Sequence, residues 1–234
     1  NQDGYHFDTL EKLVQQPEAV TYSVHPANNF KYLSAKSIPE IVVGVESYKF
    51  VNHIDTLESQ MRGMFGNRLI THNIGRKRFF QQDFNYPASY PQYHHLEPNT
   101  AHNDITNQSG LTFLSDQEET LSSPNNLIRF YPSGLKFEDF PNQVEQWISE
   151  RISRLQQFHT IQLEIRTPGD SRRKVGEKVQ FLLPSPEPLV NNELQNDIYY
   201  SGAYLITGIR HLINRQEYVN IIELKKDSVS QPFP

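Results

Sequence analysis

Between residues 141 and 166 the hydrophobic period of this chain changes from helical to extended, and this change constrains the C-terminal part most. Val144, Trp147, Ile148, Ile152 and Leu155 recur at helical spacing, with Gln143, Glu145, Glu150 and Arg151 on the remaining faces. Pro141 suits a first helical turn. Trp147, the only tryptophan, reads as a core anchor. Directly afterwards Ile161, Leu163 and Ile165 alternate with Gln162, Glu164 and Arg166, a half-buried strand. Pro168-Gly169-Asp170 turns the chain. Val175, Val179, Phe181 and Leu183 mark the next extended stretch, interrupted at Gly176 and ended by Pro184. After a polar loop over 184–196, Ser201–Ile209 and Gln216–Leu224 pair through a turn at Asn214-Arg215. Five or six short strands with glycines at the bends predict a small closed β-barrel.

The N-terminal part is more mixed. Gly4-Tyr5-His6-Phe7 reads as a short aromatic strand, Asp8 as a helix cap, and Leu10, Leu13 and Val14 as one helical face ended by Pro17. Tyr22–Val24 and Ile41–Val51 are extended. Gln60–Phe65, Arg68–His72 and Arg78–Tyr86 predict a three-stranded meander turning at Gly66-Asn67 and at Asn73–Lys77. Residues 87–126 carry Pro87, Pro91, Pro98 and Pro124 without a clear period, and Leu127–Tyr131 returns to a short strand. The expected fold class is β-rich α+β. Residues 1–138 form a mixed region with partial barrel strands and a long irregular loop, and residues 139–234 a linking helix plus a C-terminal β-barrel.

Composition excludes several classes. The chain has 234 residues and no cysteine, so disulfides and thiolate zinc sites are ruled out. A net charge of -5 argues against a surface built to grip a nucleic-acid backbone. No apolar run is long enough for a membrane-spanning helix. With 36% hydrophobic residues but 12 Tyr and 14 Phe, the chain is rich in side chains that favour strands and protein interfaces. Its first residues, Asn1-Gln2-Asp3-Gly4, contain neither a start methionine nor a signal peptide, so the expectation is a piece that begins inside a longer protein.

An ordered series of features then carries a resemblance. A helix ends in Arg154-Leu155-Gln156, and Thr160–Ile165, Thr167–Asp170 and Lys174–Phe181 follow. Ser201-Gly202-Ala203-Tyr204-Leu205-Ile206-Thr207-Gly208-Ile209-Arg210-His211 comes next, and Glu217–Asp227 closes the series. In this order they resemble the last domain of baseplate hub proteins from contractile-tailed, T-even-type phages. Those proteins are related to tail hub proteins and to the shaft proteins of type VI secretion. The middle is similar too, through Gly4–Phe7 with Leu10 and through Gly66, Leu69, Ile70 and Tyr86. The family's first barrel has no counterpart here and is expected upstream of Asn1.

The resemblance implies a structural, non-enzymatic baseplate component, assembled in the host cytoplasm and carried in the virion. It implies a homotrimer whose paired barrels make a ring of pseudo-sixfold symmetry, because a threefold surface meets six equivalent contacts only through two quasi-equivalent faces per subunit. The ring would join a hexameric tail tube protein to a trimeric spike or tail-lysozyme protein. DNA would pass through the lumen without specific binding, with no membrane partner and no cofactor. The strands bearing Ile161, Leu163, Ile165, Tyr204, Ile206 and Thr207 are the candidate assembly contacts.

Other readings compete at particular residues. His94-His95 with His102, Glu97 and Asp104 suggest a metal site, but adjacent histidines diverge and a solvated loop is the preferred reading. Arg76-Lys77-Arg78 and Arg172-Arg173-Lys174 read as solvated turns. Asp116, Glu118 and Glu119 offer carboxylates without an apolar setting to split their pKa values. Asn107-Gln108-Ser109 matches a glycosylation sequon. The rival functions are a tail-associated cell-wall hydrolase and a host-glycan-binding module using Tyr90 or Tyr93.

Overall fold

The computed structural model describes residues 10–25, 42–53, 56–73, 77–97, 128–134, 144–159, 161–186 and 195–229. Among the described residues ten strands fall into two sheets. In chain order they are β1 (Thr21–Ser23), β2 (Val42–Gly44), β3 (Ser47–Asn52), β4 (Gly66–Asn73), β5 (Arg78–Asn85), β6 (Ile128–Gly134), β7 (Ile161–Pro168), β8 (Lys178–Leu182), β9 (Gly202–Ile213) and β10 (Tyr218–Lys226). Two helices matter for packing, α1 (Thr56–Met61) and α2 (Val144–Gln157). A short helical segment at 10–14 precedes β1.

The larger sheet runs β2-β1-β8-β9-β10-β7-β3. Its antiparallel centre follows from the period-2 pattern. Ile165 faces Ile222 and Leu163 faces Leu224 across β7 and β10, and all four are buried. Their neighbours Gln162, Glu164 and Arg166 stand on the other face. The core then takes in Tyr22, Val179, Phe181, Tyr204 and Ile206. β9 is buried on both faces over its first half: Tyr204 and Ile206 point into this core, while Ala203 and Leu205 pack on Val14, Leu96 and Phe158.

The two edges of this sheet belong to one stretch of chain. β2 pairs with β1, and β3 pairs with β7 at the opposite edge. Only Val45 and Glu46 separate them, and these two residues donate to Ser23 O (2.9 Å) and Arg166 O (2.9 Å) respectively. The sheet is therefore curled, with its edges drawn together at this corner.

Here the expected organisation needs correcting. Among the described residues the strands after residue 139 are four, β7 to β10, and they pair with strands from residues 21–52 rather than closing a barrel alone. Three strands from residues 21–52 complete the sheet, so a boundary at 138/139 cuts through it. The period-2 pattern showed which strands were half-buried but not which distant strand would pair with them.

The smaller sheet runs β5-β4-β6, with β4 antiparallel to β5 and parallel to β6. It replaces the expected meander. The stretch before β4 forms α1 and a turn at Gly63 (φ 77°) instead of a strand. α2 lies on this sheet through Val144 and Ile148 against Leu69. Its inner face is more polar than the hydrophobic spacing suggested. Ser149 and Ser153 are buried, Leu155 is exposed, and Trp147 is half-buried beside Arg151. The small serines let Asn67 reach Ser149 O (3.1 Å) and Ser153 Oγ (3.3 Å), so hydrogen bonds rather than a leucine ridge set this contact.

Of the remaining expectations, Gly4–Phe7 lies outside the described residues, and Val175 is exposed ahead of the β8 strand.

Tyr22 makes the packing testable. Burial pushes its phenol up to about 12. Between pH 10 and about 12 the unfolded chain then loses a proton that the folded chain keeps, so stability falls as pH rises through this window. Tyr22→Phe is expected to make that alkaline loss shallower in urea-unfolding curves measured across pH 9 to 12.

Candidate functional site

The densest polar chemistry lies at the end of the larger core. The inward alternation of β10 runs Ile222, Leu224, Lys226, so the last inward position delivers an ammonium into an apolar layer. Lys226 is 0% exposed. Its Nζ donates to Ser201 O (2.6 Å) and Tyr199 O (3.3 Å), lies 3.3 Å from Glu97 Oε1, and sits 5.4 Å from the centre of the Tyr204 ring. Burial pushes the ammonium below its ordinary pKa, and Glu97 pulls it back up. Glu97 Oε1 also accepts from Ala203 N (2.7 Å). Gly202, at φ +129°, makes room for this approach, since a Cβ there would fall 1.8 Å from Glu97 Oε1 and 2.7 Å from Lys226 Nζ.

Glu97 ends a strap, residues 90–97, fixed along its length. Asp227 accepts from Leu96 N (3.1 Å) and contacts His95 Nδ1 (3.3 Å). His95 Nε2 meets Tyr90 O (3.0 Å), and the His95 ring stacks on Tyr90 at 4.0 Å. From the other side, buried Arg154 of α2 donates to His94 O (3.4 Å), pairs with Glu11, and lies over the Tyr93 ring at 4.9 Å. Tyr86 OH donates to Gln157 at the end of α2. Two buried cations, Lys226 and Arg154, thus bind the strap to the sheet and to the helix. The arrangement is a structural clamp.

The clamp revises the reading of the histidines. His94 is exposed, but His95 has both ring nitrogens engaged and only a small exposed fraction. Among the described residues no group of three His, Asp or Glu side chains is placed to hold a metal ion. His102, Asp104, Asn107, Asp116, Glu118 and Glu119 lie outside the described residues. Tyr90 is buried, and Tyr93 stacks on Tyr86, so their faces are used internally. In the basic turns, Arg172 pairs with Asp170 (2.9 Å) in the open, while Arg173 is largely buried beside Asp170 and Glu177.

The candidate assembly residues sit elsewhere than on a contact surface. Ile161, Leu163, Ile165, Tyr204 and Ile206 all point into the core of a single chain. Thr207 occupies the bulge where the β9–β10 register shifts, with its Oγ1 3.4 Å from Glu223 O. Both edges of β7 and both edges of β9 are already paired.

Open edges occur in the smaller sheet. Among the described residues β5 and β6 each pair only with β4. β5 is eight residues long and exposed along most of its length. Phe79 is 73% exposed and Phe80 53%, and as consecutive strand residues they stand on opposite faces. Phe79 stacks on His72 at 4.2 Å. A second projecting element is the β9–β10 hairpin tip, where residues 210–217 are exposed and Ile213 is 75% accessible. The sequence signal for β5 was present in Arg78-Phe79-Phe80, but adjacent phenylalanines do not reveal that neither face is covered.

No family model matches the chain, and no curated protein matches it. Among solved structures it is similar to a tail protein from Neisseria meningitidis MC58, at 9% identity and a TM-score of 0.44, over 94% of this chain and 48% of that one. The chain spans about half the length of that protein.

The clamp predicts a non-additive pair. Glu97→Ala leaves a buried ammonium without its carboxylate and is expected to cost about 3–5 kcal/mol. Lys226→Met combined with Glu97→Leu is expected to recover most of that loss in urea unfolding. Equal losses in the single and double variants would contradict the clamp. Gly202→Ala should destabilise as well, because both its φ and the space are unavailable to a side chain.

Proposed function

We propose that this chain is a structural component of a phage tail, a subunit of a trimeric hub ring with no catalytic role. The ordered features from Arg154 to Asp227 support the family, and the edges of the smaller sheet, unpaired among the described residues, are the observation that carries assembly.

A long exposed edge strand offers a row of unpaired backbone groups, which proteins cover or put to use. β5 runs antiparallel and β6 parallel to β4. When copies are related by rotation about a common axis, the β5 edge of one therefore meets the β6 edge of the next in antiparallel sense. The strands have eight and seven residues, so the ladders match in length. Such a contact is head-to-tail, and head-to-tail contacts close into rings. Phe79 and Phe80 would lose their exposed surface at the junction.

In this reading the larger curled sheet is the rigid body, and the smaller sheet is the connector. An upstream barrel would supply the second quasi-equivalent face, and the ring would join a tail tube to a spike and let DNA through its lumen. Assembly uses β5 and β6 in place of the interior strands β7 and β9.

The test is the solution mass. Sedimentation velocity of the chain is expected to show a trimer that becomes monomeric in F79K/F80K with an unchanged melting temperature. A monomer at every concentration, or a trimer indifferent to those substitutions, would count against the edges as the joint. Purified protein applied to peptidoglycan is expected to release nothing, and release abolished by a single carboxylate substitution would favour the hydrolase instead.

A further inference from the structure

A cleft of about 240 Å³ opens where β3, α1, the end of α2 and β7 meet. Every side chain that lines it is polar, among them Asn52, Glu58, Ser59, Arg62, Gln156 and His159. Such a wall gives an apolar ligand nothing to pack against. It offers an ion no excess charge either. Arg62 is paired with Glu58 at 2.5 Å, one turn away. Lys225 is not part of the lining; it reaches His159 Nδ1 (3.5 Å), and the opposite charge of Glu223 acts on it.

The histidine adds no charge. Gln162 Nε2 (2.8 Å) and Lys225 Nζ both meet His159 Nδ1. Two donors there require the lone pair, which puts the ring proton on Nε2. Burial, then Lys225, then Arg62 hold this ring below its ordinary pKa, while Glu58 pulls the other way. The planar amides are fixed as well. Asn52 Nδ2 donates to His159 O (2.7 Å) and Gln162 Nε2 is held by the ring, so each side chain keeps its carbonyl oxygen as an acceptor. Gln156 contributes an amide with both kinds of group, and Ser59 a hydroxyl.

Donors and acceptors thus meet in one cleft without net charge and without an apolar wall. A neutral polyol has the matching character. Each of its hydroxyls both donates and accepts, and neighbouring hydroxyls fit the paired atoms of an amide, a guanidinium or a carboxylate. Pockets for drug-sized ligands begin at roughly 300 Å³, so this one suits a single ring. We propose that the cleft binds one neutral pyranose. Arg62 and His159 Nε2 donate to sugar oxygens, Asn52 and Gln162 accept from its hydroxyls, and Gln156 does both. The site is separate from the open edges of the smaller sheet and does not depend on ring assembly. The sugar has two sources, a free monosaccharide and one unit of a longer glycan.

The experiment is an NMR titration of the folded chain, following the His159 ring and the side-chain amides of Asn52, Gln156 and Gln162. One arm adds in turn the methyl pyranosides of glucose, galactose, mannose and N-acetylglucosamine. A second adds neutral oligosaccharides of the same sugars, and a third adds glucuronate, a pyranose carrying a charge. Saturable shifts at these residues are expected from at least one neutral pyranoside, with weaker binding of glucuronate. Q156A leaves the internal hydrogen bonds in place and is expected to weaken binding about three- to tenfold. Q156W fills the cleft and is expected to abolish the shifts with an unchanged melting temperature. Tighter saturation by an oligosaccharide assigns a glycan, and equal or tighter saturation by the monosaccharide assigns a free sugar. No saturation by any neutral sugar, undiminished binding in both Gln156 variants, or glucuronate binding as tightly as the neutral rings overturns the proposal.

Discussion

A single ammonium at the end of the core organises much of the rest. Lys226 stands where the inward pattern of β10 calls for an apolar side chain, and a lone charge there would be untenable. Two backbone carbonyls and one carboxylate make it tolerable. The carbonyls come from the turn before β9, which must therefore begin at a left-handed glycine. The carboxylate comes from the strap, which must therefore cross the end of the sheet. One buried charge thus specifies the entry to β9, the position of residues 90–97, and a second buried layer in which Leu96 meets Ala203 and Leu205. Buried ion pairs add little net stability but penalise alternative arrangements, and here the alternative is a strap that drifts off the sheet.

α2 plays the complementary part. It rests on Leu69 of the smaller sheet and sends Arg154 towards the strap of the larger one. The two sheets are thereby coupled through one helix whose inner face combines Val144 and Ile148 with two serines, an arginine and a glutamine. Hydrogen bonds at Asn67 and Thr71 give this contact an orientation that an all-leucine face would not.

Local order was well written in the sequence. The α2 spacing, the alternation in β7, and the β9–β10 hairpin with its turn at Asn214-Arg215 all follow from periods of 3.6 and 2. What lay beyond reading was pairing at a distance. Nothing in Tyr22 announces that it will lie opposite Phe181, and nothing in Val45-Glu46 announces a corner joining both edges of a sheet. The site was less legible still. Lys225-Lys226-Asp227 looks like a polar strand end, and only the register places one lysine in the core, its neighbour against His159, and the aspartate under the strap. The same register turns the inward isoleucines of β7 from apparent contact residues into core.

The closing of the larger sheet by residues 42–52 has a kinetic side. β1 waits for β8 across more than half the chain in sequence, and β3 waits for β7 across about half of it. Loops of that size slow the search for the native state, because entropy is lost before the pairing rewards it. The β8-β9-β10-β7 unit, in which β7 lies beside β10, would stand with two raw edges until the N-terminal strands arrive. A nascent molecule of this kind is at its most adhesive halfway through folding, and the order in which its strands dock decides whether those edges meet their own chain or a stranger's.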